Sequence, residues 1–180
     1  RVSSATYMFP PVRSAKEGVV NEEVRFTPEE SAMARFRSMK YQTSEEELAQ
    51  MAEAYRRGNL EFDSACDDCD RIPSEKMGCM AGRSAFWITW DGRMTPCGMM
   101  NEPVARPFEE GFEAAWKQIV EETDRILLPA ACRDCKARKV CQVCGALAIA
   151  EGHGDSTKTP EYLCQCTKRY IELVQAVGEK

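Results

Sequence analysis

Apolar residues recur along this chain at two spacings, and the places where one gives way to the other outline its elements. Ala5 to Phe9 is a short β-prone run stopped by Pro10 and Pro11, the pattern of a strand that ends in a loop. Thr27, Pro28 and Glu30 combine an N-cap hydroxyl, a proline at the first helical position and a carboxylate placed to cap back, which predicts a helix to about Met39. Ser44 and Glu47 repeat the capping spacing, and Leu48, Met51, Ala52 and Tyr55 hold one helical face until Gly58 stops it. From Ser84 to Trp90 the period drops to two, with Phe86, Ile88 and Trp90 on one face and Trp87 and Thr89 on the other. Asp91-Gly92 then reads as a two-residue hairpin turn with Arg93 to Cys97 returning, which pairs Trp90 with Arg93 and Phe86 with Cys97. Helical spacing resumes through Phe108, Phe112, Ala115, Trp116, Ile119, Val120 and Leu127 until Pro129, so this helix is expected to cover a hairpin face. A short helix from Gly145 to Glu151, stopped by Gly152, and a last one from Thr159-Pro160 with the stripe Leu163, Tyr170, Val174 and Val177 complete the pattern. The expected class is α+β: a small hairpin with packed helices, preceded by a strand and connector helices.

Composition narrows the function. With 180 residues, 43% apolar and 29% charged, the chain can bury an ordinary core. A net charge of -5 supplies no basic footprint for nucleic acid. No run approaches the ~20 apolar residues of a membrane span and the N-terminus has no signal-peptide pattern, so a cytoplasmic chain without a membrane partner is expected. It begins at Arg1 directly ahead of an apolar run, which suggests a piece of a longer parent chain.

All ten cysteines lie between Cys66 and Cys166, whereas His153 is the one histidine. That shift in composition places a domain boundary near residue 65, separating residues 1–65 from a cysteine-rich domain over 66–180. Cys132, Cys135, Cys141 and Cys144 form a Cys-x2-Cys-x5-Cys-x2-Cys block, whose Cys-x2-Cys turns present paired thiolates to one ion or cluster. Cys66 and Cys69 make a further such pair, while Cys79, Cys97, Cys164 and Cys166 are spread around the hairpin and final helix. Ten thiols are enough for two sites with two to spare. A disulfide scaffold is the bland alternative, opposed by the missing secretory signal, the long amphipathic helices and the close pairing of the cysteines. Structural zinc is the second, and spacing alone does not separate it from iron-sulfur chemistry.

The surrounding sequence separates them. Cys79, twelve residues, Gly92, four residues, Cys97, then the Cys132 to Cys144 block and finally Cys164 in Tyr162-Leu163-Cys164 resemble the SPASM domain of radical SAM enzymes. The segments Phe86-Trp87-Ile88-Thr89-Trp90-Asp91-Gly92 and Pro96-Cys97-Gly98 look like that family's hairpin. The block departs from the family pattern by one residue, with two rather than three between Cys141 and Cys144. The resemblance covers about residues 66 to 175; the first 65 residues look, more weakly, like the last strand of the radical SAM partial barrel and its connector helices.

What the resemblance implies is two 4Fe-4S clusters beside an N-terminal barrel, with a peptide or protein as substrate. One site would use Cys79, Cys97 and Cys144, with Cys69 or Cys66 as fourth ligand or one iron left open. The other would use Cys132, Cys135, Cys141 and Cys164, leaving Cys166 spare. Zinc is expected as a substitute after aerobic handling, and S-adenosylmethionine only in the full-length parent. No Cys-x3-Cys-x2-Cys motif, which the family needs to cleave S-adenosylmethionine, occurs in this chain, so it should be inactive alone. The alternative function is a non-catalytic structural zinc module used for protein interaction.

Other residues carry weaker signals. Trp87, Trp90 and Trp116 at strand and helix spacing read as core before substrate stacking. Glu45 to Glu47 and Asp67-Asp68 read as an attraction for a basic leader peptide, and for Glu45 to Glu47 a favourable helix start is an equal reading. Arg133, Lys136, Arg138 and Lys139 around the thiol block read as an offset to cluster charge, as a contact for an acidic partner, or as exposed charges that need no partner. Gly98, Met99 and Met100 form a flexible apolar edge after Cys97.

Overall fold

A computed structural model describes residues 25–60, 76–141 and 143–178. These are mostly helical, with one small antiparallel sheet. The expected strand at Ala5 to Phe9, the boundary near residue 65, and Cys66 and Cys69 lie outside the described residues.

Helix α1 spans Pro28–Gln42 and α2 spans Glu45–Arg56. Both begin with a complete capping box: the Thr27 hydroxyl accepts from the Glu30 N–H at 3.2 Å while the Glu30 carboxylate accepts from the Thr27 N–H at 2.9 Å. Ser44 and Glu47 repeat the exchange at 3.2 and 3.0 Å. Helix α1 runs three residues past its expected end, because nothing before Thr43 interrupts it.

The hairpin corrects the sequence reading. Strand β1 is Trp87–Ile88 and β2 is Met94–Thr95, paired Trp87 with Thr95 and Ile88 with Met94. The turn therefore holds three residues, Trp90 to Gly92, and the register is shifted by one from the expected Trp90–Arg93 and Phe86–Cys97 pairs. Its cause is local: the Thr89 N–H donates to the Arg93 carbonyl at 2.9 Å and the Thr89 hydroxyl accepts from the Arg93 N–H at 3.2 Å. Gly92 takes the left-handed position at φ +80° that closes a three-residue loop. Across β2 the chain returns at Ala105, whose N–H and carbonyl bond Met94 at 3.0 and 2.8 Å, an extension the sequence reading missed.

The expected single helix from Phe108 to Leu127 is also corrected. It divides into α3, Pro107–Glu110, and α4, Phe112–Thr123, at Gly111, whose φ of +88° no helix accommodates. Leu127 lies beyond α4 and bridges to Lys76. Helix α4 does cover the hairpin, but through β2: Met94, Ala105, Ala115 and Ile119 form one buried cluster. Strand β1 stays exposed on both faces.

The short α5, Ala130–Arg133, follows Pro129 and carries Cys132. Helix α6 is Gly145–Glu151, as the spacing predicts, and α7 is Glu161–Gln175, beginning one residue after the expected Thr159-Pro160 start. The largest buried cluster joins Ala32 of α1 and Met51, Ala52 and Tyr55 of α2 to Val140, Tyr170 and Val174. Residues from both sides of position 65 thus share one core. Among the described residues no helix is long and apolar enough to cross a membrane.

Candidate functional site

The eight described cysteines are free thiols, and they fall into two groups with one outlier. Cys79, Cys97 and Cys144 pack against the apolar cluster of Met77, Ala81, Met100 and Ala146. Three elements deliver them. Cys79 precedes a tight turn in which the Met80 carbonyl accepts from the Arg83, Ser84 and Ala85 N–H groups. This turn presses Gly82 onto α4, where a Cβ would stand 2.4 Å from the Thr123 hydroxyl oxygen. Cys97 leaves β2, and Cys144 is the N-cap of α6.

Two of these sulfurs sit in the same backbone cradle. Cys97 accepts from the N–H groups of Met99 and Met100, and Cys144 from those of Ala146 and Leu147, the second and third residues onward in each case. A glycine follows both cysteines and lets another side chain lie against the turn. The Trp87 ring covers Gly98, 3.4 Å from where a Cβ would stand, and Met77 fills the corresponding space at Gly145, its Sδ only 1.8 Å from that position. The repeated Cys-Gly-x-x segments, Cys97 to Met100 and Cys144 to Leu147, are the sequence signal for these donors, which the reading of side chains alone overlooked.

Burial pushes the Cys97 and Cys144 thiols up from their usual range, while the N–H donors pull them down. The Cys79 sulfur raises both, and Cys97 raises Cys144. The three therefore lie within reach of one another's charge.

Cys132, Cys135, Cys141 and Cys164 make the second group. Cys132 lies on α5, Cys135 and Cys141 follow it through turns closed by Arg138 N–H to Cys135 carbonyl at 2.9 Å and Cys141 N–H to Ala137 carbonyl at 2.8 Å, and Cys164 stands on the first turn of α7. Burial raises the Cys132 thiol, the Arg138 cation opposes it, and Cys141 and Cys135 add to the rise. Cys164 is an exposed residue, yet its thiol is crowded enough that burial comes first in pushing it up to about 11, followed by the charges of Cys141, Glu161, Cys132 and Cys135.

None of these shifts links a thiol of one group to a thiol of the other. Cys144, adjacent in sequence to the second group, faces the first. Among the described residues, no three His, Cys, Asp or Glu side chains gather closely enough to hold a single metal ion. Cys166 joins neither group: its sulfur is hydrogen-bonded to Ser31 and Tyr162, on the α1 side of α7. His153 stands in a left-handed turn at the end of α6.

A cleft of about 690 Å³ opens beside the first group. Ile126 and Ile149 line it and also pack against the Met77 and Met100 cluster, while Arg93, Arg125, Glu102 and Glu122 give its wall both charge signs. Comparison of the chain with family models, with curated proteins and with solved structures found no match.

Proposed function

We propose that this chain is the auxiliary iron-sulfur unit of a radical SAM enzyme acting on a peptide or protein, where it transfers electrons, positions the substrate, or both. The observation that carries this reading is the division of the thiols. What supports it is that Cys79, Cys97 and Cys144 pack against one apolar cluster, whereas Cys132, Cys135, Cys141 and Cys164 lie within reach of one another's charge, as two separate clusters would require.

The donor set fits the proposed group. Soft thiolates are the ordinary ligands of iron-sulfur clusters, and hydrogen bonds to sulfur are one means of tuning them. Burial pushes the Cys97, Cys144 and Cys132 thiols up, and the backbone N–H groups at Cys97 and Cys144 and the Arg138 cation beside Cys132 oppose that rise. A 4Fe-4S cluster bound to each group would supply one-electron transfer. The chain's own part is to present the thiols from separate segments and to keep water from the buried side of the first group through Met77, Met100 and Ala146. The cleft lined by Ile126 and Ile149 gives a substrate side chain a place beside that group. Initiation of the radical belongs to a barrel that carries the missing Cys-x3-Cys-x2-Cys motif.

The test is the content of iron, acid-labile sulfide and zinc in protein produced and handled without oxygen. About eight iron and eight sulfide per chain is the expected result. Single Ala replacements at Cys132, Cys135, Cys141 or Cys164 should remove about half of the iron and leave the spectrum of the other group. Zinc without sulfide would replace this reading with a structural interaction module.

A further inference from the structure

The hairpin exposes more aromatic surface than its packing uses. Trp90 is 97% exposed, Phe108 79%, Trp87 56%, Phe112 49%, Phe86 41% and Ile88 39%. They cluster around the hairpin and the start of α4: Phe86 meets Phe112 with ring centroids 5.4 Å apart, and Phe108 lies 3.2 Å from where a Cβ on Gly92 would stand. Apolar patches of this kind on a folded chain mark interaction sites. Strand β1 adds an open edge, since among the described residues it pairs with β2 alone. Thr89 and Arg93 are a hydrogen-bonded pair, so alternation turns the Ile88 N–H and carbonyl away from β2.

The rim selects the occupant. Asp91, Glu109, Glu110 and Glu113 are exposed around the aromatics, against two guanidinium groups, Arg93 and Arg106, that are each already paired with one of these carboxylates. Glu113 has no ion-pair partner among the described residues. The bare indole of Trp90 stands at the turn beside Asp91, an arrangement that attracts a cation to the ring face.

We propose that this surface binds an extended peptide segment in which Lys or Arg alternates with apolar side chains. Its backbone would pair with the free edge at Ile88, its apolar side chains would cover Phe86, Ile88 and Phe112 on the face toward α4, and its cations would be drawn by the charge of Glu113 and the ring of Trp90. Main-chain pairing supplies the alignment in such strand addition, and the side chains supply selectivity. The proposal does not depend on bound iron, so it stands or falls separately from the cluster reading.

The probes are two fluorescently labelled peptides, one alternating Lys and Val and the other alternating Glu and Val, titrated onto the full chain at low and high salt. The Lys-Val peptide should bind about tenfold more tightly and lose that advantage as salt screens the rim. Trp90→Ser and Glu113→Lys should each weaken it severalfold while leaving the circular dichroism spectrum unchanged, because both side chains are exposed. Equal affinity for the two peptides, or unchanged binding by both variants, overturns the proposal. So does a concentration-dependent dimer that Trp90→Ser dissociates without any peptide binding, which would make the surface a contact between copies of the chain.

Discussion

Two helices end in the same backbone motif with different residues at its left-handed position. After α2, the Gly58 N–H bonds the Tyr55 carbonyl at 3.0 Å and the Asn59 N–H bonds that of Ala54 at 2.9 Å; after α6, His153 bonds Ala150 at 3.1 Å and Gly154 bonds Ile149 at 2.8 Å. Both are Schellman caps, with Gly58 at φ +79° and His153 at φ +52°. Left-handed backbone costs a residue with a Cβ about 1–2 kcal/mol, and glycine brings back about 0.5–1 kcal/mol of unfolded-state entropy. His153→Gly is therefore expected to raise stability by up to about 1 kcal/mol, and Gly58→Ala to lower it by a similar amount. Since nothing stands within 4 Å of a Cβ at Gly58, crowding does not contribute there. Denaturant midpoints of the two variants check the opposite signs. The lone histidine is thus accounted for by a helix end rather than by a thiol group.

At the scale of the element, legibility followed how local the determinants were. The starts of α1 and α2 were readable because Thr27, Glu30, Ser44 and Glu47 satisfy one another within a single turn. The hairpin register was not, because it depends on whether Thr89 or Trp90 closes the loop, and the Thr89 hydroxyl decides that through bonds that a count of turn residues does not include. The break at Gly111 was hidden for a related reason: Phe108, Phe112 and Ala115 keep helical spacing across it although the chain does not stay helical. The capping boxes also make a pH dependence. Backbone and side-chain hydrogen bonds from Thr27 hold Glu30 below its ordinary value of 4.5, and those from Ser44 do the same for Glu47. A carboxylate with a lowered folded pKa contributes stability that is present above its unfolded value and lost as pH falls through the folded one. Helical content should therefore decline in acid below about pH 4.5 in part through α1 and α2, and the double variant Glu30→Gln with Glu47→Gln should flatten that portion of the titration followed by far-ultraviolet circular dichroism. An acid profile identical to that of the parent would remove the two caps as its source.

On the scale of the whole molecule, the second thiol group joins the helical core at Val140 as well as through α7, which carries Cys164. Val140 is buried among α1, α2 and α7 and immediately precedes Cys141. From α1, Arg35 donates through Nη2 to the Val140 carbonyl at 2.8 Å and stacks its guanidinium 3.9 Å from the Tyr170 ring centroid. This link was not legible in the sequence, because Arg35 lies 105 positions from Val140 and reads as one more solvated charge on a helix. The proposed grouping of the cysteines comes from the resemblance, whereas the contact of Arg35 with Val140 exists only once α1 lies on α7. Removing Arg35 leaves a carbonyl of a buried residue without its donor, at a cost of about 1–3 kcal/mol. Arg35→Ala should lower the unfolding midpoint accordingly and, on the iron-sulfur reading proposed above, speed iron loss from the Cys132 group before the Cys97 group. Arg35→Lys should recover little, because an ammonium restores the charge without the planar stack on Tyr170. Arg57→Ala is the matched control: Arg57 pairs on the surface with Glu53 at 2.8 Å, and its loss should stay within about 0.5 kcal/mol. If Arg35→Ala costs no more than Arg57→Ala, or if both thiol groups lose iron at the same accelerated rate, the helical core does not brace the second group through Val140 and its geometry is set by the cysteine-bearing segments alone.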